Sequence, residues 1–254
     1  RIVRGLLEST RKLKRELVQF GVDLRYLVFI RADIYDHLIR EAPDKGKDTC
    51  IRLDWSDREA FKAVYRERAK RVARQDASFD ECWRMAVESH VGAVDSFEYV
   101  LDRVLMRPRQ FIQFLRQIFQ VAINRRHARA TPEDILQAER SYSEDTLLMT
   151  GFEIDDAHPE MRDVLYLFHG LPFTFDFDEA VLRLMEKVRE EAAAVQAVEL
   201  LIWYGFLGVR SVGSGSESYA YDVQGNVRHL VSEPRRPGAV LVVNPAFHSA
   251  LTVG

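Results

Sequence analysis

Apolar residues recur at three- and four-residue steps over much of this chain, and the clearest run lies between residues 101 and 141. Phe111, Phe114, Leu115, Ile118, Ala122 and Ile123 form one stripe, with Gln113, Arg116, Gln117 and Gln120 on the opposite side. That spacing predicts an amphipathic helix with one buried face. A second helix opens at Thr131-Pro132-Glu133-Asp134. Thr131 suits the cap, Pro132 the first helical position, and Asp134 the carboxylate position of a capping box. Ile135, Leu136 and Ala138 supply its apolar side.

The same reading organises the rest. Residues 1–25 carry Ile2, Leu6, Leu7, Leu13, Leu17 and Phe20 at helical spacing, with Gly21 as a stop. Residues 26–30 are a continuous apolar run, the pattern of a buried strand in a parallel sheet. Residues 49–53 predict the last strand of that sheet, and Asp54 to Asp57 caps a helix reaching residue 74. Helical stretches over 79–91 and 96–105 lead into the 101–141 pair. A Ser-, Asp- and Glu-rich boundary falls at 141–159. Beyond it come three predicted helices, 161–168, 176–190 and 193–204, the last stopped by Gly205. Short strands follow at 206–209, 219–223 and 239–243, with loops at 213–218 and 228–238. Three helices and then a small β hairpin is the winged-helix plan. The predicted class is mostly α with a small β component.

Composition narrows the chemistry. The chain has 254 residues, 47% of them apolar and 30% charged, with a net charge of -3. It has material for real cores and no global pull toward nucleic acid or anionic membrane. Two cysteines, Cys50 and Cys82, are too few for a disulfide frame or a zinc site and point to a reducing cytoplasm. No signal peptide or apolar run of membrane length is evident. The seven histidines form no metal motif, and no Gly-x-Ser-x-Gly elbow occurs. Gly46-Lys47 lacks the glycine five residues earlier and the following Ser/Thr of a P-loop. Starting at Arg1 inside a helical pattern, the chain reads as the C-terminal part of a longer protein.

The entry to the first helix, Arg107-Pro108-Arg109, with the apolar helix, polar loop and Thr-Pro-Glu-Asp-Ile cap that follow it, resembles the helical lid of AAA+ and STAND-type P-loop ATPases. The run Tyr26-Leu-Val-Phe-Ile30 ending in Arg31 resembles the sensor-1 strand of the same ATPases. Asn244-Pro245-Ala-Phe247 is similar to the closing turn of uncharacterised bacterial members. The resemblance implies three parts. Residues 1–75 would be the end of a nucleotide-binding α/β core, 76–145 the helical lid, and 155–254 a winged-helix domain. It further implies that Arg31 senses the γ-phosphate, that Arg109 is the sensor-2 arginine, and that Arg107 and Pro108 lie at the nucleotide, with Pro108 near the adenine. ATP and Mg²⁺ would bind only in the full-length parent, whose phosphate cradle lies in a missing N-terminal core. Such a parent serves as a nucleotide switch in bacterial DNA transactions or phage defence, and a homo-oligomer fits it. The competing assignment of Arg31 is a strand-end arginine paired with Asp33 or Asp36.

A module without enzymatic activity, binding DNA or a partner protein through the winged helix, is the second functional class. Residues 193–204 would enter the groove of DNA, yet this helix holds no Lys or Arg, and contact with phosphates needs cations. The wing is more basic, with Arg210, Arg228, Arg235 and Arg236, so DNA binding is expected to be weak.

Overall fold

Thr131 caps the longest of the described helices in the way its sequence predicts. Its hydroxyl accepts the Asp134 amide and the Asp134 carboxylate accepts the Thr131 amide, which pairs two helix-start donors that would otherwise lack partners. The structure is a computed structural model and describes residues 2–30, 51, 53, 55–72, 74–211, 215–223 and 227–252, with side chains from residue 5 onward. The chain divides into two units, residues 1–53 and 54–254.

In the first unit, α1 spans Ile2–Gln19 and Gly21 follows it in the left-handed conformation, φ 74°. Residues 22–30 form no strand, and Leu27 and Phe29 are 86% and 80% exposed. The expected parallel strand at 26–30 is therefore absent. An apolar run becomes a strand only where neighbours take up its backbone donors and acceptors, and among the described residues none does so here. Ile51 and Leu53 are likewise outside any strand, and Arg31, Asp33 and Asp36 lie outside the described residues.

The second unit holds α2 (Arg58–Ala69), α3 (Phe79–Ala86), β1 (His90–Val91), β2 (Val94–Asp95) and α4 (Ser96–Leu101). Next come α5 (Pro108–Asn124) and α6 (Pro132–Ala157), then β3 (Thr174–Phe175), α7 (Phe177–Val188) and α8 (Glu191–Trp203). It closes with β4 (Leu207–Arg210), β5 (Glu217–Ser218), α9 (Val227–Ser232), β6 (Val240–Val243) and α10 (His248–Leu251). The fold is mostly helical, and its described sheets are antiparallel: the β1–β2 hairpin and a four-stranded sheet ordered β3-β6-β4-β5.

Two apolar cores result, and α6 belongs to both. The first gathers Phe61, Trp83, Phe97, Phe111, Phe114 and Tyr142 from α2 to α6. Its rings meet edge to face or stacked, as in Phe61–Phe111 at 5.4 Å and Phe114–Tyr142 at 4.3 Å. The indole Nε1 of Trp83 donates to the Ser96 hydroxyl at 2.9 Å, so its buried donor is paired. The second core gathers Phe168, Leu184, Leu201, Phe206 and Phe247, with Leu147 and Ile154 from the far half of α6. α8 buries Ala194, Ala197, Val198, Leu201 and Ile202 in this core, with Val195 and Leu200 packed against it. Ser143 locks the C-terminus onto α6: its hydroxyl donates to the Ala246 carbonyl at 2.8 Å and accepts the Ala250 amide at 3.0 Å.

Several boundaries differ from the sequence reading. The boundary at 141–159 is mostly helix, because α6 carries its buried stripe through Ile154. Residues 161–168 form two 3₁₀ turns, Pro159–Met161 and Val164–Phe168, separated by Asp163 at φ 62°. Residues 219–223 form a turn, since the Asp222 carboxylate accepts the Tyr219 amide at 2.8 Å and competes with strand pairing. Part of the predicted loop 228–238 is helix α9.

Candidate functional site

The Arg107-Pro108-Arg109 entry lies between the two cores. α4 ends at Leu101, and a tight turn follows in which the Arg107 amide donates to the Val104 carbonyl at 2.8 Å. Val104 is buried in the first core and Leu105 in the second. Leu105 and Met106 both hold positive φ, 49° and 48°, a conformation that costs a branched or long side chain roughly 1 kcal/mol or more each. Arg107 is extended, as a residue before proline must be, and Pro108 opens α5.

This helix start breaks two local rules. α2, α3, α4, α6 and α7 begin at Asp57, Ser78, Asp95, Thr131 and Asp176, each with a side chain that accepts a helix amide. α5 begins at Arg107 with no such acceptor and no acidic residue in its first turn. Two arginines instead sit at the positive end of the helix dipole, where anions are favoured and cations are not. A stretch that defies its own local electrostatics is where a ligand is expected.

The two arginines are used differently. Arg107 Nη1 donates to both carboxylate oxygens of Glu153 on α6, at 3.0 and 3.1 Å. That pairing ties the start of α5 to the far half of α6. Arg109 is exposed and forms no hydrogen bond or ion pair with a described residue. Pro108 is half-buried. In the same turn, Gln110 Oε1 is buried without a partner among the described residues. Of the four residues singled out from the sequence, the structure brings Arg107, Pro108 and Arg109 together, and Arg31 lies outside the described residues.

Beneath the turn is a polar cluster that the sequence did not reveal. Arg103 lies over the Tyr99 ring at 3.5 Å and donates to Glu139 at 2.8 Å, and the Tyr99 hydroxyl donates to the same carboxylate. Tyr142 donates to the Arg103 carbonyl at 3.1 Å, and burial pushes its phenol well above the usual range. One signal was available: Glu139 falls in the buried phase of Ile135, Ala138 and Tyr142, where a charge needs a partner. On the sheet side, burial pushes the carboxyls of Asp102 and Asp222 upward, against the pull of Arg58 on both. His248 stacks on Phe173 at 3.8 Å and donates from Nε2 to the Val243 carbonyl at 2.7 Å. Its burial, with the Arg103 charge adding, lowers its proton affinity.

The wing arginines are mostly neutralised. Arg210 pairs with Glu217, Arg235 with Glu199 and Arg236 with Glu233, each at 2.6 Å. The exposed side of α8 carries Glu191, Ala192 and Gln196, with Glu199 beside them. Among the described residues, no group of His, Cys, Asp or Glu could hold a metal ion. No described helix is long and apolar enough to cross a membrane. What this arrangement offers chemically is a guanidinium without a partner among the described residues, at an uncapped helix start joined through a strained turn to both cores.

Residues 59–149, from the start of α2 into α6, match the FunZ-associated C-terminal helical domain. The stretch contains the whole Arg107–Arg109 entry. The chain is also similar to the putative transposon gamma-delta 80.3 kDa protein of Escherichia coli (strain K12), at 23% identity over 236 residues. That match covers 86% of this chain and 34% of the relative, so the chain spans about a third of the relative's length. No solved structure matches the chain.

Proposed function

We propose that this chain is the helical lid and a winged-helix-like module of a larger ATP-dependent P-loop switch acting in DNA transactions. The observation that carries the reading is Arg109, an exposed guanidinium with no partner among the described residues at the uncapped, dipole-positive start of α5. A planar guanidinium there suits a phosphate, which it can hold through two parallel hydrogen bonds. Pro108 beside it offers an apolar surface, while Arg107 is committed to Glu153. The chain contributes no phosphate cradle and no magnesium-holding carboxylate of a P-loop enzyme, so ATP and Mg²⁺ belong to the missing N-terminal core of the parent.

Two further features support the reading. Strands β3, β4 and β6, with α7 and α8 between β3 and β4, follow the strand order of a winged helix. The match to a domain described as C-terminal, and to a relative whose name ties it to a transposon, agrees with a C-terminal part of a DNA-handling protein. The acidic exposed side of α8 and the paired wing arginines favour packing or protein contacts over groove reading.

The test uses the full-length protein. ATP turnover and hydrogen exchange across α5 and α6 are measured with and without ATP, for the wild type and for Arg109→Ala. The expected result is ATP-dependent protection of α5 that Arg109→Ala abolishes, with turnover reduced at least tenfold. No nucleotide response in the wild type, or an unchanged response in Arg109→Ala, overturns the assignment.

A further inference from the structure

α5 has a second exposed side, unrelated to its Arg107–Arg109 entry. Ile112, Arg116, Phe119 and Ile123 lie along it, and with α2, α3 and the 127–130 loop they frame an apolar groove of about 740 Å³. The floor is apolar, with Phe111, Leu115 and Ala86, and the lips are open: Val72, Met85 and Ile123 are 90%, 63% and 68% exposed. Every charged side chain among the described residues lining the groove is basic: Arg68, Arg116 and Arg129. An open apolar trough with a one-signed rim fits an apolar ridge flanked by carboxylates.

The chain carries such a ridge. On α6, Leu148, Met149 and Phe152 are 45%, 49% and 54% exposed on one side of the helix. Exposed Glu144, Asp145 and Asp156 flank them at helical spacing. Within one chain the ridge cannot enter the groove. α6 packs on the side of α5 that holds Phe114 and Gln117, through the Phe114–Tyr142 stack and the Gln117–Asp145 hydrogen bond. The groove residues Ile112, Phe119 and Ile123 are on another side of the same helix.

We infer that the groove framed by α2, α3 and α5 receives the acidic Leu148-Met149-Phe152 ridge of α6 from a second copy of this chain. The contact joins two different surfaces, so it leaves the ridge of one copy and the groove of the other free to engage others unless rotation closes the assembly. The rim charges steer the encounter and set its register, and the apolar side chains supply the burial. This inference is independent of nucleotide binding.

The experiment uses the full-length protein at micromolar concentrations, followed by sedimentation velocity. The wild type is expected to self-associate, more weakly as salt rises. Ile123→Asp in the groove and Phe152→Asp on the ridge should each weaken self-association at least tenfold. Both positions are exposed, so neither change threatens the cores, and unchanged circular dichroism confirms this for each. Mixing the two variants leaves one intact groove facing one intact ridge, and the expected product is a discrete heterodimer that grows no further. A wild type that remains monomeric, variants that associate like the wild type, or a mixture with no heterodimer each overturns the proposal. Capture of a different acidic protein by a monomeric wild type does so too.

Discussion

Arg107 and Glu153 are joined through both carboxylate oxygens across the junction of the two cores, while Arg109, two residues further on, has no such partner among the described residues. The two arginines of one short motif therefore predict opposite outcomes. Arg107→Ala should lower stability by about 0.5–1 kcal/mol, the range of a half-exposed ion pair. Arg109→Ala should leave the melting temperature unchanged and act only on the ligand response. Denaturant titration of both variants checks the contrast, and equal losses of stability would contradict the assignment of Arg109 to a ligand.

Gly208 and Gly151 form a second contrast. A Cβ on Gly208 would meet the Tyr219 ring at 2.4 Å, whereas one on Gly151, within α6, meets nothing within 4 Å. Gly208→Ala should cost about 1–3 kcal/mol by overpacking β4 against Tyr219. Gly151→Ala should stabilise by roughly 0.5–1 kcal/mol, as alanine does in a helix interior. Thermal melts of the two variants are expected to shift in opposite directions.

Asp134 is fully buried and accepts from the Thr131 amide, from Arg125 at 3.1 Å and from His127 at 2.7 Å. Burial raises its pKa, but the His127 and Thr131 hydrogen bonds outweigh it and hold the carboxyl below its ordinary 3.8. Its contribution to stability is therefore full above that value and is lost as pH falls through the lower folded value. Asp134→Ala should cost about 2 kcal/mol at neutral pH, through the lost cap and the unpaired partners. Equilibrium unfolding at pH 7 should give that loss, and the gap from the wild type should narrow in strong acid.

His248 titrates with the opposite sign. Its folded value is below the ordinary 6.5, so the unfolded chain takes up this proton first. Between the folded value and 6.5 stability rises with pH, and acidification below 6.5 destabilises the second core. His248→Gln keeps a donor for the Val243 carbonyl and removes the titration. The wild type should lose more melting temperature than this variant between about pH 7 and 5.5. Asp102 and Asp222, whose carboxyls are raised, act in the other direction, and both proteins share them.

Helix positions were legible where periodicity and caps agreed. The Phe111–Ala122 stripe, the Thr131 capping box, Asp176 before α7 and Gly205 after α8 appear as the sequence predicts. Ile123 reads as part of the buried stripe but lies on the groove side near the end of α5, 68% exposed. The strand expected at 26–30 rested on hydrophobicity alone, and a strand also needs partners that local sequence does not supply. The Arg107–Arg109 entry was visible as a motif, whereas the capture of Arg107 by Glu153, 46 residues away, depends on how α5 and α6 pack. The Arg103–Glu139–Tyr99 cluster depends on the same packing.

α6 is 26 residues long, which at 1.5 Å per residue makes a rod of about 39 Å. Its first turns are wedged among the aromatic rings of one core, and Ser143 and Ile154 fasten it to the other. Pivoted at one end by 10°, a rod of that length sweeps its far end through on the order of 7 Å. Glu153 lies four residues from the far end of that rod, so a displacement around Arg107 enters α6 there and reaches the C-terminal elements held by Ser143 and Ile154 with its size almost unchanged.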